Sequence, residues 1–184
     1  MYFFDNLDTK YIKPRSIEHA YLCILEDDIL TANAVFETID SPRGKWGKSI
    51  TDILLGYTEK FPTYFEIRNF LEIDLNFLLK NEKIDYVEQI LGSLEYLILI
   101  NQETYKYTAR VFYENKLYNV CRKYMEKSKN ILYNDPELHF MYATYFLNSQ
   151  EYIEAFEAIQ ECLKILPDYY PAKKMKEEIK KYIT

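Results

Sequence analysis

The second half of the chain repeats itself with a period of about 34 residues, a length typical of stacked helical units. When the sequence is shifted by one period, apolar residues align with apolar residues, and alanine aligns with alanine or cysteine. The aligned pairs are Ala109 with Ala143, Phe112 with Phe146, Tyr118 with Tyr152, Cys121 with Ala155, and Ile131 with Ile165. One period earlier, the same columns hold Leu75, Leu78, Ile84, Val87 and Leu97. Three consecutive units of this kind predict a stacked helical array.

Each unit is expected to contain two helices joined by a short turn. The last unit shows the i, i+3, i+4, i+7 recurrence of an amphipathic helix at Tyr152, Ala155, Phe156, Ile159, Leu163 and Leu166. The helix start signals agree with this interpretation. Thr63 and Glu66 have the spacing of a capping box, and Asp135 precedes a proline and a glutamate as an N-cap would. Ser149 is expected to cap the helix that follows it.

These columns resemble the tetratricopeptide repeat family, whose pattern is Trp-x2-Leu-Gly-x2-Tyr, then Ala-x3-Phe, then Pro, within each repeat. The last unit matches it with His139, Tyr142, Ala143, Phe146, Ala155, Ile159 and Pro167. The middle unit has Tyr105, Thr108, Ala109, Phe112, Cys121 and Met125, and the one before has Leu71, Asp74, Leu75, Leu78, Val87 and Leu91. The resemblance implies a right-handed superhelical array of antiparallel helix hairpins, an α-solenoid in which small residues lie where two helices cross. Leu75 and Val87 are larger than the pattern, so we expect that hairpin to be more splayed.

The resemblance extends less evenly toward the N-terminus, where Ala20, Cys23, Ile29, Ala32 and Phe36 keep the internal spacing of one unit. The stretch after them has a helical stripe that breaks the register. We therefore predict a single all-α domain over 1–184, divided into a divergent repeat (16–42), an extra helix (43–67), three repeats (68–101, 102–135 and 136–167) and a C-terminal capping helix (168–184).

Composition limits the classes of partner. Lys and Arg number 23 against 29 Asp and Glu, a formal charge of −6, and such an acidic chain is poorly suited to neutralising the phosphates of nucleic acid. No apolar run approaches the roughly 18 residues of a membrane span, and the N-terminal sequence lacks the pattern of a secretory signal. A cytoplasmic protein is expected. The three cysteines, Cys23, Cys121 and Cys162, are widely spaced and are expected to be reduced and packed as small apolar residues.

No local pattern indicates catalysis, a cofactor or a metal. The stretch "GKWGKS" at 44–49 lacks the first glycine and the preceding strand of a phosphate loop, so we interpret it as a polar turn before a helix. His19 and His139 have no neighbouring ligand at metal-binding spacing. The acids at 26–28 are interpreted as a capped turn.

The family resemblance implies that functional residues lie on the first helix of each unit, which lines a concave groove. The candidate peptide-binding residues at those positions are Asn76, Lys80, Lys106, Arg110, Tyr113, Phe140, Thr144 and Asn148. Lys106 and Arg110 are four positions apart, and with Asn76 they form a candidate binding set for an acidic or C-terminal carboxylate group. The family's known carboxylate clamp is not reproduced.

We therefore expect a non-enzymatic scaffold that binds a peptide segment of a partner protein. The alternative is a small acidic chaperone for a secreted or assembling client, by analogy with tetratricopeptide chaperones of similar size. The chain also has 19 tyrosines. Six of them are not explained by the pattern and are candidates either for covering exposed apolar surface or for a patch that forms a homodimer or binds a partner: Tyr107, Tyr124, Tyr133, Tyr145, Tyr169 and Tyr170.

Overall fold

The computed structural model describes residues 12–57 and 61–183, and these residues form eleven helices and no strand. The helices are α1 (Ile17–Leu25), α2 (Ile29–Glu37), α3 (Pro42–Leu54), α4 (Tyr64–Lys80), α5 (Ile84–Gly92), α6 (Leu94–Ile100), α7 (Thr104–Glu114), α8 (Tyr118–Lys129), α9 (Pro136–Asn148), α10 (Tyr152–Ile165) and α11 (Tyr170–Ile183). The predicted all-α fold is confirmed for this part of the chain. Each helix packs against its neighbours in sequence, and α4 also packs against α7.

Four helix pairs, α1–α2, α4–α5, α7–α8 and α9–α10, are joined by the same turn. In the α7–α8 turn, the Lys116 N–H donates to the Tyr113 carbonyl at 3.0 Å, and the Leu117 N–H donates to the Phe112 carbonyl at 2.8 Å. This pair of bonds is the Schellman motif, in which the residue after the C-cap is left-handed. The left-handed residues are Asp27 (φ 64°), Glu82 (58°), Lys116 (60°) and Gln150 (61°). None of them is glycine, so these turns carry no glycine signal in the sequence.

The positions of these turns show where the repeat is regular. Glu82, Lys116 and Gln150 follow one another at intervals of one full period, in agreement with the repeat seen in the sequence. Asp27 lies well over one period before Glu82. Helix α3 and its connections fill the additional length, so one helix is inserted between two hairpins that share the same turn.

Helix α3 packs closely on α2 and on the connection between them because it carries a glycine at each contact. A Cβ atom at Gly47 would overlap the Phe36 ring, and one at Gly44 would overlap the Ile39 carbonyl oxygen. Trp46, between them, is fully buried. The "GKWGKS" residues therefore lie inside a helix, and our interpretation of them as a turn is wrong. The physical reason is that the N-cap Ser41 and the proline after it begin the helix before the first of these glycines.

The small residues of the repeat lie in the hairpin interfaces. Ala109 and Cys121, on α7 and α8, have no exposed surface, and neither have Ala143 and Ala155 on α9 and α10. These two hairpins have the most extensive helix–helix contacts in the described chain. The α4–α5 interface is smaller, as expected from the bulkier Leu75 in its corresponding column.

The second helix of the 68–101 unit is interrupted. Helix α5 ends at Gly92, and α6 begins at Leu94, so Ser93 is at once the C-cap of α5 and the N-cap of α6. This unit therefore contains three helices where the sequence predicted two. Glycine has a low helix propensity, costing about 1 kcal/mol relative to alanine, which favours a break at this point.

Two of the three predicted caps are confirmed. Thr63 forms the full capping box with Glu66, and the Asp135 side chain accepts from the backbone of α9. Ser149 does not cap α10, because it is the C-cap of α9; the N-cap of α10 is Glu151, which makes no side-chain capping bond. The Schellman turn accounts for the shift, since its left-handed residue separates Ser149 from the N-cap of the next helix.

Helix α11 closes the C-terminal end over a separate small core. This second cluster is made of Ala143, Ala155, Ile159, Cys162, Ala172 and Ile179, from α9, α10 and α11. Tyr182 covers its edge by stacking on Tyr152, with ring centroids 4.6 Å apart and an interplanar angle of 5°. The apolar stripe of the last helix therefore packs inward, and most of its lysines face solvent.

Burial divides the six tyrosines considered for a dimer surface. Tyr107, Tyr124 and Tyr145 are buried in the main core, so these three are not part of an exposed patch. Tyr133 and Tyr170 are 57% and 74% exposed. Part of the large number of tyrosines is thus explained by the core. A phenol ring packs like an apolar group, and its hydroxyl reaches a polar neighbour.

Enlarging a small residue in a hairpin interface should be costly. We expect Ala155→Leu to lower the free energy of unfolding by about 1–3 kcal/mol, because the extra atoms force the two helices apart. Ala34→Leu is the matched control on an exposed helical position, where a change within about 0.5 kcal/mol is expected. Urea unfolding followed by circular dichroism measures both. Equal losses in the two variants would contradict the proposed packing.

The left-handed turn residues offer a stabilising change. Gln150→Gly should raise the free energy of unfolding by about 0.5–1 kcal/mol, because glycine adopts this conformation without a Cβ clash. Gln89→Gly, the same substitution inside the exposed face of α5, should lower it by about 1 kcal/mol. Urea unfolding midpoints measure both effects. Opposite signs in the two variants support the left-handed turn, and a loss of stability in both would contradict it.

Candidate functional site

The first helices α4, α7 and α9 are joined side by side by polar contacts between their side chains. Arg110 on α7 bridges its neighbours: its Nη1 lies 3.0 Å from Glu72 Oε1 on α4, and its Nη2 donates to Glu137 Oε1 on α9 at 2.6 Å. In the last turn of α7, Asn148 on α9 donates to the hydroxyl of Tyr113. The surface formed by these side chains is called the α4–α7–α9 face below.

Asn76 contributes to the same face from α4. Its Nδ2 donates to Glu114 Oε2 at 3.2 Å, and its Oδ1 accepts from Asn115 Nδ2 at 2.6 Å. Because both partners lie at the C-terminal end of α7, this amide fixes the lateral position of α4 against α7. Asn76 is only 3% exposed, so it acts here as a buried connector between two helices.

Lys106 is buried at the centre of a carboxylate cluster. The residue is 1% exposed, and its Nζ donates to Glu103 Oε1 at 2.7 Å, Asp135 Oδ2 at 2.6 Å and Glu137 Oε2 at 2.9 Å. Burial alone would lower the pKa of the ammonium, but the hydrogen bonds to Asp135, Glu103 and Glu137 outweigh it and raise the pKa. Lys106 is therefore charged at neutral pH and uses all three of its donors within the chain.

The same three carboxylates are close enough together to hold a metal ion. One oxygen from each of Glu103, Asp135 and Glu137 lies within 4.8 Å of the others. Lys106 donates to all three residues, so its ammonium already serves as the cation of this cluster.

The Glu72 carboxylate in this face lacks part of its hydrogen bonding. Burial raises its pKa, and the charge of Arg110 opposes this only in part. The geometry gives the reason: Glu72 Oε1 lies within ion-pair distance of Arg110 but has no well-aligned hydrogen bond. Because the folded-state pKa is raised, this carboxylate costs stability as the pH increases through that raised value.

The charge of the face is negative. Five carboxylates, from Glu72, Glu103, Glu114, Asp135 and Glu137, outnumber the cations of Lys106 and Arg110 that lie among them, even with the charge of Arg68 near Glu103 and that of the exposed Lys80 included. An acidic peptide would have to displace carboxylates that already bind Lys106 and Arg110. The interpretation of Lys106 and Arg110 as an open binding set for a carboxylate therefore needs correction. Carboxylates already pair with both groups, and the spacing of the two residues in the sequence did not show this.

The other candidate residues are divided between the face and the second core. Tyr113 is half-buried, and Asn148 is exposed at its edge. Phe140 packs edge-on against Tyr169, with ring centroids 5.3 Å apart, and Thr144 donates to the Phe140 carbonyl. Lys80 is exposed in the last turn of α4, one turn beyond Asn76.

A second buried charge, which the sequence did not reveal as a site, ties the N-terminal helices to α4. Asp74 is 2% exposed, and its Oδ2 accepts from the Tyr21 hydroxyl at 2.7 Å and from Trp46 Nε1 at 2.6 Å, while Arg43 binds Oδ1. Burial and the Asp74 charge raise the pKa of Tyr21 well above its usual value, so it remains a donor. The available signal was Arg43 with Trp46 one helical turn apart on α3, and an acid at Asp74 in a column that holds Thr108 and Tyr142 in the later units.

The histidines and cysteines have structural surroundings. His139 is buried, with Nε2 at 2.7 Å from the Tyr133 carbonyl, and His19 Nδ1 accepts from the Arg15 backbone. All three cysteines are free and buried. Burial raises the pKa of Cys121 to about 12 and that of Cys162 to about 11, so both thiols stay protonated and weakly nucleophilic at neutral pH.

Comparison with known proteins found no matching family model, no matching curated protein and no matching solved structure. Within the part of the chain that the structure describes, no helix combines the length and apolar character needed to cross a membrane.

Removing the Lys106 ammonium should strongly destabilise the fold. Lys106→Met leaves three neighbouring carboxylates without their cation, and we expect the free energy of unfolding to fall by about 3 kcal/mol. Lys173→Met makes the same charge change in an exposed pair with Asp168 and should cost less than about 1 kcal/mol. Urea unfolding at pH 7 provides the comparison, and similar losses would show that the cluster adds little stability.

Proposed function

We propose that this protein is a non-enzymatic interaction scaffold that binds a peptide segment of a partner protein on the α4–α7–α9 face. The observation that supports this proposal is the cross-helix bonding of Arg110, Asn76 and Lys106, which holds three first helices in fixed positions before any ligand arrives. A preformed surface gives up little conformational freedom on binding, so more of the contact energy contributes to affinity.

The architecture that we propose is the tetratricopeptide-like superhelix implied by the resemblance. Turns of the same geometry at Glu82, Lys116 and Gln150, one period apart, support a repeated hairpin. The buried small residues of the α7–α8 and α9–α10 hairpins support the same repeat. In such an array the first helices line the inner wall, and the α4–α7–α9 face would be the peptide groove.

The charge of the face favours a basic segment as the ligand. Glu137 and Glu114 are both exposed at the surface of the face, and complementary charge increases both the association rate and the discrimination between partners. Tyr113 and Phe140 are half-buried aromatic residues that would add contact area with few rotors to immobilise. In this proposal the buried Lys106 and its neighbour on α7 organise the carboxylates, and their cations do not face the ligand.

The second candidate function is that of a chaperone for an unstable client, and a different surface, made of exposed apolar side chains, supports it. Phe65 is 67% exposed and Leu99 is 83% exposed, and Tyr96 stacks on Phe61 near them in sequence. Exposed apolar side chains of this size are used to hold aggregation-prone segments. Co-purification of a single client that aggregates when expressed alone would favour the chaperone role over the peptide scaffold.

The scaffold proposal can be tested with labelled peptides of defined charge. We expect a lysine- and arginine-rich peptide to bind in fluorescence anisotropy at physiological salt, and a glutamate-rich peptide of the same length not to bind. The double variant Glu114→Gln with Glu137→Gln should weaken binding about tenfold, which is the loss of two charge-assisted contacts of roughly 0.7 kcal/mol each.

The control is the double variant Glu177→Gln with Glu178→Gln on the exposed side of α11, which changes the net charge by the same amount. Because it leaves the face intact, it should retain affinity within about twofold. Equal weakening in both double variants would mean that the peptide follows the overall charge of the protein, and the face would be excluded as the binding site.

A further inference from the structure

A cleft of about 610 Å³ opens between α8, α9 and α10 and shares no residue with the α4–α7–α9 face. Its lining combines aromatic rings with carboxylates, and Arg122 and Lys129 lie among them. The aromatic residues are Tyr133, Tyr142 and Phe146, and the carboxylates are those of Glu126, Glu154, Glu157 and Glu161. It is called the α8–α10 cleft below.

The Tyr142 hydroxyl in this cleft has an unmet hydrogen-bonding capacity. The residue is 7% exposed, its ring stacks on Phe146 at 5.9 Å, and its hydroxyl has no hydrogen-bond partner among the described residues. Burial and the charge of Glu126 raise its pKa, so the hydroxyl keeps its proton at neutral pH. A buried donor of this kind is usually satisfied. Its oxygen has almost no accessible surface, so a ligand carbonyl supplies the missing acceptor only once the side chains above it have moved aside.

The cleft already holds one cation from its own chain. The Lys129 ammonium lies over the Tyr142 ring, 5.5 Å from its centroid, which is within the range of a cation–π contact. The aromatic lining therefore accepts an alkylammonium group. Because Lys129 is an exposed residue on a flexible stem, a ligand ammonium can displace it without disturbing the core.

The lining contains carboxylates that remain available. Glu126 is paired with Arg122, and Glu161 with Lys164. Glu154 and Glu157 are exposed, lie one turn apart on α10, and have no ion-pair partner in the described part of the chain. Two adjacent carboxylates beside an aromatic ring provide both the charge and the apolar surface that a lysine side chain requires.

We propose that the α8–α10 cleft binds a lysine side chain of an extended peptide segment. The ligand ammonium replaces that of Lys129 above the Tyr142 ring, Glu154 and Glu157 neutralise it, and the Tyr142 hydroxyl donates to a carbonyl of the peptide backbone. A polyamine offers the same charge but no acceptor for that hydroxyl, so a peptide satisfies the cleft more completely. This site is separate from the face proposed above, and either one can fail alone.

Calorimetric titration with two short peptides tests the cleft directly. The probes are acetyl-Ala-Lys-Ala-Lys-Ala-amide and its counterpart with both lysines replaced by glutamine, and only the lysine peptide should bind. Lys129→Gln should tighten its binding about two- to fivefold by removing the competing cation. Lys123→Gln makes the same charge change on an exposed position of the same helix and should leave the affinity within about twofold. Equal gains in both variants, or no binding to Lys129→Gln, would overturn the proposal.

The Tyr142 hydroxyl provides a second, independent readout. Tyr142→Phe should raise Tm by about 2–4 °C, because it removes a buried donor without a partner, and should weaken the lysine peptide about fivefold. Unchanged peptide affinity in this variant would refute the carbonyl contact. Spermine binding that is tighter than the peptide and insensitive to Tyr142→Phe would assign the cleft to polyamines instead. The double variant Glu114→Gln with Glu137→Gln, which tests the other face, should leave the responses to Lys129→Gln and Tyr142→Phe unchanged, so that binding at the cleft is distinguished from any binding of the same peptide at that face.

Discussion

The three carboxylates around Lys106 determine how successive hairpins lie against each other. Two of them, Asp135 and Glu137, belong to the start of α9, so a single ammonium on α7 fixes the position of the next first helix. Arg110 repeats this connection in both directions, to α4 and to α9. Apolar contacts between helices tolerate small sliding movements, whereas a buried charge requires particular partners at particular distances. The face proposed to bind a partner is therefore set by the same interactions that set the order of the helices.

Asp74 has the equivalent role at the N-terminal end. It joins α1 through Tyr21 and α3 through Arg43 and Trp46, three residues that are far from it in the sequence. The inserted helix α3 is thereby integrated into the array through one buried carboxylate with three donors. Each of these donors satisfies part of the carboxylate, which offsets the cost of removing its charge from water.

Local features of the fold were predictable from the sequence, and features that depend on distant residues were not. The repeat period, the small residues at Ala109 and Ala143, and the capping box at Thr63 follow from short-range rules of helix geometry and packing. The partners of Lys106 lie as far as Glu137 on the next first helix, and no short-range rule identifies them. For this reason the sequence correctly grouped Lys106 with Arg110 on one helix but missed the acids that neutralise both. The left-handed turns without glycine were missed because the local preference for glycine at such positions was not followed. The α5–α6 break at Ser93 was missed although Gly92 gave a weak local signal for it.

The division of the apolar core into two clusters has a consequence for how the molecule opens. The helices mainly contact helices close to them in the sequence, so local unfolding is expected to begin at an end and advance one interface at a time. Helix α9 belongs to both parts: Ala143 packs in the C-terminal cluster, while Tyr142 and Tyr145 pack in the main one. The backbone amides of α11 should therefore exchange with solvent deuterium sooner than those of α9, which stay protected until both clusters have opened.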